Sequence, residues 1–245
     1  MTRVVCVGTS DAFGTGARRQ SSYLVQSETG GVLMDCSGTT LTGLEALRIP
    51  RDSIDVIAIT HFHGDHFGGV PLLLLAARFV DRRRHPLVIA GPPGIEERIR
   101  GTARAVGHPL PEPEIEFPLR FHEYESGLED KIGPCELRAF ECVHSPETMP
   151  HGLVVTMDGH RVAYSGDTGW FPGLPDAVRG VDVFLCECTQ AAAQYPYHLS
   201  LEEMRAHHAE FDCGRIFLTH LGPEMLARES AEPFELAEDG LVIEL

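Results

Sequence analysis

Lysine is nearly absent from this chain of 245 residues, in which Lys131 is the only one. Lysine and arginine together number 20 against 36 acidic residues, which gives a formal net charge of −16. Proteins that bind nucleic acid rely on these cations to contact phosphates, so the charge argues against a general nucleic-acid-binding role. The one dense basic run, Arg82-Arg83-Arg84, is interpreted as capping the carboxyl end of a helix that begins near Pro71, where cations suit the helix dipole.

Long apolar segments are also missing. No apolar run approaches the roughly 18 residues that a membrane-spanning helix requires, and the strand-like segment at Met1 does not resemble a signal peptide. The seven cysteines are odd in number and lack paired zinc-knuckle spacing, so free thiols in a cytoplasmic protein are expected. With 43% hydrophobic residues, the chain is long enough to bury a substantial core, and we expect a single domain over residues 1–245.

What the chain does contain is a series of short apolar segments with alternating strand and helix signals. Some strand connections are short and others pass through helices, which predicts an α/β chain of two sheets covered by outer helices rather than one doubly wound sheet. Residues 107–134 are rich in Pro, Glu and Gly, and they predict an irregular excursion with short strands, not a domain boundary. Strands are predicted at 3–7, 22–26, 31–35, 54–59, 86–90, 136–143, 152–157, 161–165, 182–187, 215–219 and 240–244, and helices at about 39–48, 70–81, 93–106, 200–211 and 223–228.

Residues 61 to 66, His-Phe-His-Gly-Asp-His, place three imidazoles and a carboxylate directly after the apolar run 54–59. Neutral imidazole and carboxylate are ligands of zinc and similar borderline metals. If the segment stays extended, His61, His63 and Asp65 share one face, while His66 turns to a second centre. Four ligand types in six positions therefore favour two adjacent metals over one. A His-rich surface loop would not explain why a buried strand ends in all four.

Three later strand ends carry the same kinds of residue next to a chain-breaking residue. His144 precedes Ser-Pro, Asp167 lies in a turn flanked by glycines, and His220 precedes Leu-Gly-Pro. Each alone is a weak signal, since a lone histidine at a strand end is usually a hydrogen-bonded structural residue. Together with the first cluster they form a set of seven. His151 is a rival to His144, which is favoured because it lies directly at a strand end.

These motifs resemble those of the metallo-β-lactamase superfamily, and within it the ribonuclease Z-like branch. The HxHxDH motif is specific to the superfamily, and lesser matches extend along most of the chain. Cys186-Glu187-Cys188-Thr189 and His198-Leu199-Ser200 resemble the branch's His-Glu-Ala-Thr and His-Ser-Thr motifs, with a cysteine in place of the first histidine. The other matching segments are Val7-Gly8-Thr9-Ser10 with Arg18-Arg19-Gln20-Ser21-Ser22, Leu33-Met34-Asp35-Cys36, and Pro86-Leu87-Val88-Ile89-Ala90-Gly91-Pro92-Pro93-Gly94.

The resemblance implies an αββα sandwich, of two mixed sheets flanked by helices, with two divalent metal ions at one edge between the sheets. The ligands that it implies are His61, His63 and His144 around one metal, Asp65, His66 and His220 around the other, and Asp167 as the bridge between them. Asp35 is interpreted as an outer hydrogen-bonding support for the HxHxDH loop rather than a ligand. The metal is expected to be zinc, although manganese and iron share the same ligand types.

Two adjacent cations imply hydrolysis. Their combined field lowers the pKa of a bridging water, so that a hydroxide attacks without a strong side-chain base. In this scheme Asp65 orients the nucleophile or receives its proton, and His198, held by Glu187, assists the leaving oxygen. The alternatives are that His198 is a polar residue bonded to backbone before a helix, and that Glu187 is a strand-end acid facing solvent.

His144 and Asp167 are only 23 residues apart, which leaves no room for the long arm with which ribonuclease Z grips transfer RNA at this place. With the acidic charge, this predicts a phosphodiesterase for small phosphodiesters, such as a cyclic nucleotide, and argues against transfer RNA as a partner. The alternatives are another ester hydrolase (sulfatase, lactonase, thioesterase or β-lactamase-like), an RNA-processing endoribonuclease, and a metal-binding protein without turnover. Relatives in this branch are often dimers, which leaves the oligomeric state open between a monomer and a homodimer.

Overall fold

Two seven-stranded β-sheets face each other in the computed structural model, which describes residues 1–110 and 116–245. In chain order the strands are β1 (Arg3–Gly8), β2 (Ser22–Ser27), β3 (Gly30–Met34), β4 (Val56–Ala58), β5 (Leu87–Gly91), β6 (Leu119–Glu123), β7 (Glu129–Ile132), β8 (Cys135–Glu141), β9 (His151–Met157), β10 (His160–Tyr164), β11 (Val183–Glu187), β12 (Arg215–Thr219), β13 (Glu235–Leu236) and β14 (Val242–Glu244). The first sheet has the order β14-β1-β2-β3-β4-β5-β6, and the second has the order β13-β12-β11-β10-β9-β8-β7. Both sheets are mixed, because β3 to β6 and β10 to β13 pair in parallel whereas β2 to β3 and β8 to β9 pair antiparallel.

Helices cover the outer face of each sheet. They are α1 (Thr40–Ala46), α2 (Gly64–Phe67), α3 (Val70–Phe79), α4 (Ile95–Ala105), α5 (Leu174–Ala177), α6 (Leu201–Ala206) and α7 (Pro223–Leu226). Leu44, Leu73 and Ile99 of α1, α3 and α4 join an apolar cluster with the outer face of the first sheet. Leu174 and Met204 of α5 and α6 join the corresponding cluster on the second sheet. The architecture confirms the αββα sandwich of two mixed sheets.

Strands in the middle of each sheet are apolar on both faces because both faces are covered. In β1, Val4 and Cys6 belong to the cluster between the sheets, whereas Val5 and Val7 belong to the cluster beneath the helices. Side chains alternate across a strand, so the period of two sorts one continuous apolar run into two cores.

Buried polar contacts also join the two sheets near the site. Tyr23 of β2 and Tyr164 of β10 are fully buried, and their ring centroids lie 4.7 Å apart. The Tyr23 hydroxyl forms a short hydrogen bond with the hydroxyl of Thr219, at the end of β12. The residue after Thr219 is His220, so this contact fixes the position of one predicted ligand relative to the opposite sheet.

Some elements differ from the sequence prediction, mainly where polar residues face solvent. Strands β6 and β7 lie within 107–134 and form one edge of each sheet. Residues 111–115 of that segment lie outside the described part of the chain. The helix predicted over 200–211 ends at Ala206 and is followed by a short 3₁₀ turn, His208–Glu210. The pattern predicts neither α2 nor β13, because four and two residues are too few to show a period.

The described part of the chain contains neither a disulfide nor a helix that is both long and apolar enough to cross a membrane. All seven cysteines are free, as their scattered spacing predicts. Burial raises the pKa of the Cys6 thiol to about 12, which keeps it in the unreactive protonated form at neutral pH.

Candidate metal centre

Ligand-type residues that follow β4, β8, β10 and β12 come together at one edge of the sandwich. The parallel strands of both sheets end at this edge, which is where open α/β sheets commonly place their sites. The residues form two groups that share one aspartate, and within each group the ligand atoms lie within 4.8 Å of one another. The first group is His61, His63, His144 and Asp167, and the second is Asp65, His66, Asp167 and His220. The seven side chains that the resemblance implies as ligands are therefore brought together in the grouping that it implies.

In the first group three imidazoles converge on one point. Nδ1 of His63 lies 3.1 Å from Nε2 of His61 and 3.1 Å from Nε2 of His144. The carboxylate of Asp167 lies behind them, with Oδ2 3.9 Å from each of the same two Nε2 atoms. All four side chains thus direct a lone pair towards a common centre.

The second group uses the other oxygen of the same aspartate. Oδ1 of Asp167 lies 3.2 Å from Nε2 of His66 and 3.5 Å from Nε2 of His220. Oδ2 of Asp65 lies 3.3 Å and 3.7 Å from the same two nitrogen atoms. Asp167 therefore presents one oxygen to each group.

Three of these atoms face other ligand atoms but have no hydrogen-bond partner among the described residues. Nε2 of His66, Oδ1 of Asp167 and Nε2 of His220 are buried and make no hydrogen bond. Buried polar atoms are nearly always paired, so three such atoms at one point call for a ligand. Ligands about 2.1 Å from a tetrahedral zinc ion lie roughly 3.4 Å apart, which matches the separations in both groups. The residues present fit two divalent cations.

The HxHxDH segment is not extended throughout. It leaves β4 in extended form as far as His63 (φ −79°, ψ 145°), and the helical turn α2 begins at Gly64. Asp65 therefore does not share a face with His61 and His63, as a fully extended segment would require. The turn instead places Asp65 beside His66 in the second group.

Asp35 supports the HxHxDH loop from beneath, and it is wholly buried. Its Oδ1 accepts hydrogen bonds from the backbone N–H and the hydroxyl of Thr60, and its Oδ2 accepts one of 2.7 Å from Nδ1 of His66. The Thr60 oxygen lies 3.0 Å from Nδ1 of His61. Such outer contacts fix the tautomer and leave each Nε2 free for a metal. Burial disfavours the charged form of His66, but the three carboxylates around it raise its pKa well above the ordinary value. The same negative field favours a bound cation.

Two further ligand candidates are oriented from the segment that follows β11. Nδ1 of His144 donates to the carbonyl of Tyr197 at 2.8 Å. Nδ1 of His220 lies 2.8 Å from the hydroxyl oxygen of Thr189, whose proton goes to Oε2 of Glu187 at 3.0 Å. Both histidines are thereby left with Nε2 facing the groups. Sequence reasoning did not single out Thr189 or Tyr197. Their only signal is adjacency to motif residues.

Titration behaviour differs between the two groups. Burial lowers the pKa values of His61, His63 and His144, so these imidazoles are neutral at neutral pH. Burial also lowers the pKa values of His66 and His220, but the nearby carboxylates outweigh it and raise both, so these two imidazoles must lose a proton before they bind a metal. Burial opposes the ionisation of Asp65 and Asp167, but the surrounding histidines outweigh it and hold both pKa values below their usual range. Neutral imidazole and ionised carboxylate are the forms that bind a metal.

A sixth imidazole, that of His198, lies over both groups. The ring of His198 is 4.9 Å from that of His144 and 5.4 Å from that of His220. Its Nδ1 donates to Oε1 of Glu187 at 2.8 Å, and Glu187 is wholly buried rather than solvent-facing. The same oxygen accepts from the backbone N–H of Thr168, so this carboxylate is engaged in positioning. Burial lowers the pKa of His198, but the Glu187 carboxylate outweighs it and raises that pKa to about 9.

His151 does not join either group. Its Nδ1 donates to the carbonyl of Met149 at 2.8 Å, and its ring packs against Tyr124 with centroids 5.3 Å apart. Between His144 and His151, the structure brings only His144 to the candidate centre.

Comparison with known proteins extends over nearly the whole chain. A family model described as "Anti-Pycsar protein Apyc1" matches residues 2–242. The anti-Pycsar protein Apyc1 of Bacillus phage 010DV004 is 29% identical over 234 residues, which cover 89% of this chain and 88% of that protein. Ribonuclease Z of Lachnospira eligens is 24% identical over 306 residues, which cover 100% of this chain and 98% of that protein.

Solved structures share the same fold. The metallo-β-lactamase fold protein YhfI of Bacillus subtilis superimposes with a TM-score of 0.81 at 21% identity, over 99% of this chain and 98% of that one. A diphosphatase from the PhnP family superimposes with a TM-score of 0.81 at 17% identity, over 100% of this chain and 98% of that one.

Proposed function

The chain belongs to the anti-Pycsar protein Apyc1 family and is a metal-dependent hydrolase of the metallo-β-lactamase fold, and from this premise we propose that it is a phosphodiesterase acting on small phosphodiesters. The observation that carries the proposal is the position of His198. It is an imidazole held by a buried carboxylate directly over two ligand groups that share Asp167. Two metal ions held by these groups would bind the phosphoryl oxygens of a phosphoester, and His198 would lie beside them as a proton donor.

The metal ligands in this proposal are the seven residues of the two groups. His61, His63 and His144 would hold one ion, Asp65, His66 and His220 would hold the other, and Asp167 would be shared between them. Two bound cations supply positive charge for the phosphoryl oxygens and an activated water at neutral pH. Zinc is the metal proposed, because imidazole-rich sets with carboxylates suit it.

Asp65 has a second role in the proposal. Its side chain keeps 13% of its surface exposed, whereas those of His66 and His220 keep 0% and 3%. Its carboxylate therefore reaches the open side of the centre, where it orients the attacking water. The adjacent histidines outweigh burial and hold the pKa of Asp65 below its usual range, so the carboxylate is ionised at neutral pH and able to accept a hydrogen bond from that water.

His198 and Glu187 serve the leaving group. His198 is 18% exposed at its side chain, so its Nε2 is accessible while Nδ1 is bound to Glu187. The buried carboxylate keeps the imidazole protonated and fixes the ring plane. A positioned imidazolium donates its proton to the departing oxygen, which matters most when that oxygen is a poor leaving group.

The short segment between His144 and Asp167 supports a small substrate. It is fully described, and it holds only β9, β10 and the tight turn at Asp158 and Gly159, besides short connections. No arm projects from it to hold a large nucleic acid. The formal net charge of −16 also disfavours RNA. A small phosphodiester such as a cyclic nucleotide fits both facts.

Purified protein loaded with zinc tests the proposal against a panel of esters. Bis(p-nitrophenyl) phosphate and 3′,5′-cyclic nucleotides should be hydrolysed, whereas an aryl sulfate, a lactone and a precursor transfer RNA should not. Metal content is measured on the same samples. Faster turnover of the sulfate or the lactone would replace the phosphodiesterase with another ester hydrolase. Correct cleavage of the RNA would favour a ribonuclease, and no turnover with two metals bound would sink the enzymatic proposal.

A further inference from the structure

Tyr195 is exposed beside the candidate centre, although aromatic side chains are usually buried. The residue is 52% exposed, and its ring stacks on that of His198 with centroids 5.9 Å apart and planes 30° from parallel. His198 in turn stacks on His220 at 5.4 Å and 11°. Tyr195 is therefore the outermost of three stacked rings that end at the second ligand group.

The backbone that carries this ring is fixed. Oε1 of Gln190 accepts from the Tyr195 N–H at 2.9 Å, and Nε2 of Gln190 donates to the Tyr195 carbonyl at 3.0 Å. The same amide group donates to the carbonyl of His198 at 3.1 Å. Because this backbone is already held in place, little conformational entropy of the loop is lost when a ligand contacts the ring.

The part of Tyr195 that is available to a ligand is the face of its ring. The Tyr195 hydroxyl has no hydrogen-bond partner among the described residues. The neighbouring ring of Tyr197 meets Tyr195 edge-on, at 5.5 Å and 79°. An exposed, rigid aromatic face next to a proton donor is a stacking surface for a planar group.

We propose that Tyr195 is a substrate-recognition residue that stacks on a planar aromatic ring of the phosphoester. This inference rests on the proposed function, because it takes the phosphoryl group to lie on the two ligand groups beneath His198. A phosphoester that carries such a ring contacts Tyr195 and His198 along one wall of the site. An aliphatic phosphoester of the same charge lacks the stacking contact.

The test measures binding rather than turnover. Zinc-loaded wild type, Tyr195→Phe, Tyr195→Leu and Phe79→Leu are titrated by calorimetry with adenosine 5′-monophosphate and ribose 5-phosphate, which carry the same phosphate with and without a planar base. The wild type should bind the nucleotide about 5- to 20-fold more tightly. Tyr195→Phe should keep this ratio, and Tyr195→Leu should bring it close to one. Phe79, which is 61% exposed on α3, is the matched control, and its variant should behave as wild type.

Several outcomes overturn the proposal. They are a wild-type ratio near one, an unchanged ratio in Tyr195→Leu, or no binding of either phosphate. Loss of bound zinc in Tyr195→Leu would also overturn it, because the ring would then support the metal ligands instead of the substrate. Failure of the proposed function is a separate result. It appears as a wild type that hydrolyses no phosphodiester, whatever the binding ratio.

Discussion

Asp167 links the two ligand groups through the two oxygens of one carboxylate. Oδ1 lies 3.2 Å from Nε2 of His66, whereas Oδ2 lies 3.9 Å from Nε2 of His61. The carboxylate is 3% exposed, and Oδ1 has no hydrogen-bond donor in the described protein. No other described side chain belongs to both groups, so we expect its loss to affect both ions.

Asp167→Ala should reduce bound zinc from two ions per chain to at most one and lower phosphodiesterase activity at least about 100-fold. Elemental analysis after dialysis and steady-state kinetics measure the two effects. Asp176→Ala is the control, because Asp176 is an exposed residue that pairs with Arg179. Two firmly bound zinc ions in Asp167→Ala would contradict the bridging role.

His198→Ala should keep both metal ions, since none of the seven proposed ligands is changed. We expect hydrolysis of an alkyl phosphodiester to slow by about 10²- to 10⁴-fold, the range of general acid catalysis. Bis(p-nitrophenyl) phosphate should slow much less, because its leaving group needs little protonation. Kinetics on both substrates measure the difference, with His160→Ala as the control, because His160 is a partly exposed histidine that pairs with Asp182. Equal slowing on both substrates would remove His198 as the proton donor.

The predicted ligands could be recognised in the sequence because each follows an apolar strand and precedes a glycine, a proline or another chain-breaking residue. His144 and His220 show this pattern, and the structure brings both to the centre. Their roles as ligands stay a prediction. Thr189 and Tyr197 orient these histidines, but one acts through a hydroxyl and the other through a backbone carbonyl. Contacts of that kind depend on how loops pack, and no local pattern encodes them.

Two loops meet closely where Gly169 faces the segment that carries Tyr195 and Tyr197. A Cβ atom on Gly169 would lie 1.8 Å from the carbonyl oxygen of Pro196. Only glycine allows this approach, which lets the next carbonyl, that of Tyr197, receive Nδ1 of His144. A small change in this loop is therefore transmitted to the first ligand group.

Gly169→Ala should lower the melting temperature by about 2–8 °C, because the added methyl group forces the two loops apart. It should also weaken zinc binding at the group that contains His144. Thermal denaturation and zinc titration measure these effects. Gly101→Ala is the control, since a Cβ there would meet only the end of Arg104 at 4.0 Å and alanine favours a helix. Unchanged zinc affinity in Gly169→Ala would show that this loop does not position His144.

Strands that are covered on both faces were predictable, and so was the edge strand β14, whereas the pattern gave no bounds for the other edge strands β6, β7 and β13. The pattern predicts β4 and β12 because their buried residues are mostly apolar and because each strand is followed closely by a predicted metal ligand. The edge strand β7, which reads Glu-Asp-Lys-Ile, exposes most of its polar residues. Its pairing with β8 is set by the hairpin and the sheet rather than by its own composition. The turn α2 was missed for the same reason, since four residues carry no helical period.

Each sheet contributes part of the centre. The HxHxDH segment follows β4 of the first sheet, whereas His144, Asp167 and His220 follow strands of the second. Two bound ions would therefore connect the sheets, and they would neutralise part of a chain with a net charge of −16. Ions that bind only the folded state stabilise it.

Removal of zinc by a chelator should lower the melting temperature of the wild type by at least about 5 °C, since each site contributes roughly 2.7 kcal/mol at a hundredfold excess of ligand over Kd. Calorimetric scans with and without chelator measure the shift. Asp167→Ala should show a smaller shift, because it binds fewer ions at the start. Identical scans for zinc-loaded and chelated wild type would contradict the proposed centre.

The contacts of Tyr23 with Tyr164 and Thr219 help to set the distance between the two sheets, and with it the distance between the ligands that each sheet carries. The core between the sheets is packed without exposed apolar residues near this contact, so the distance between the sheets is a property of side-chain volume. Metal affinity is then tuned by residues that never approach the metal. A substitution in the inner core that moves the sheets by a few tenths of an ångström would shift the predicted ligands of one sheet relative to those of the other, so the same side chains would contribute to stability and to the geometry of the site.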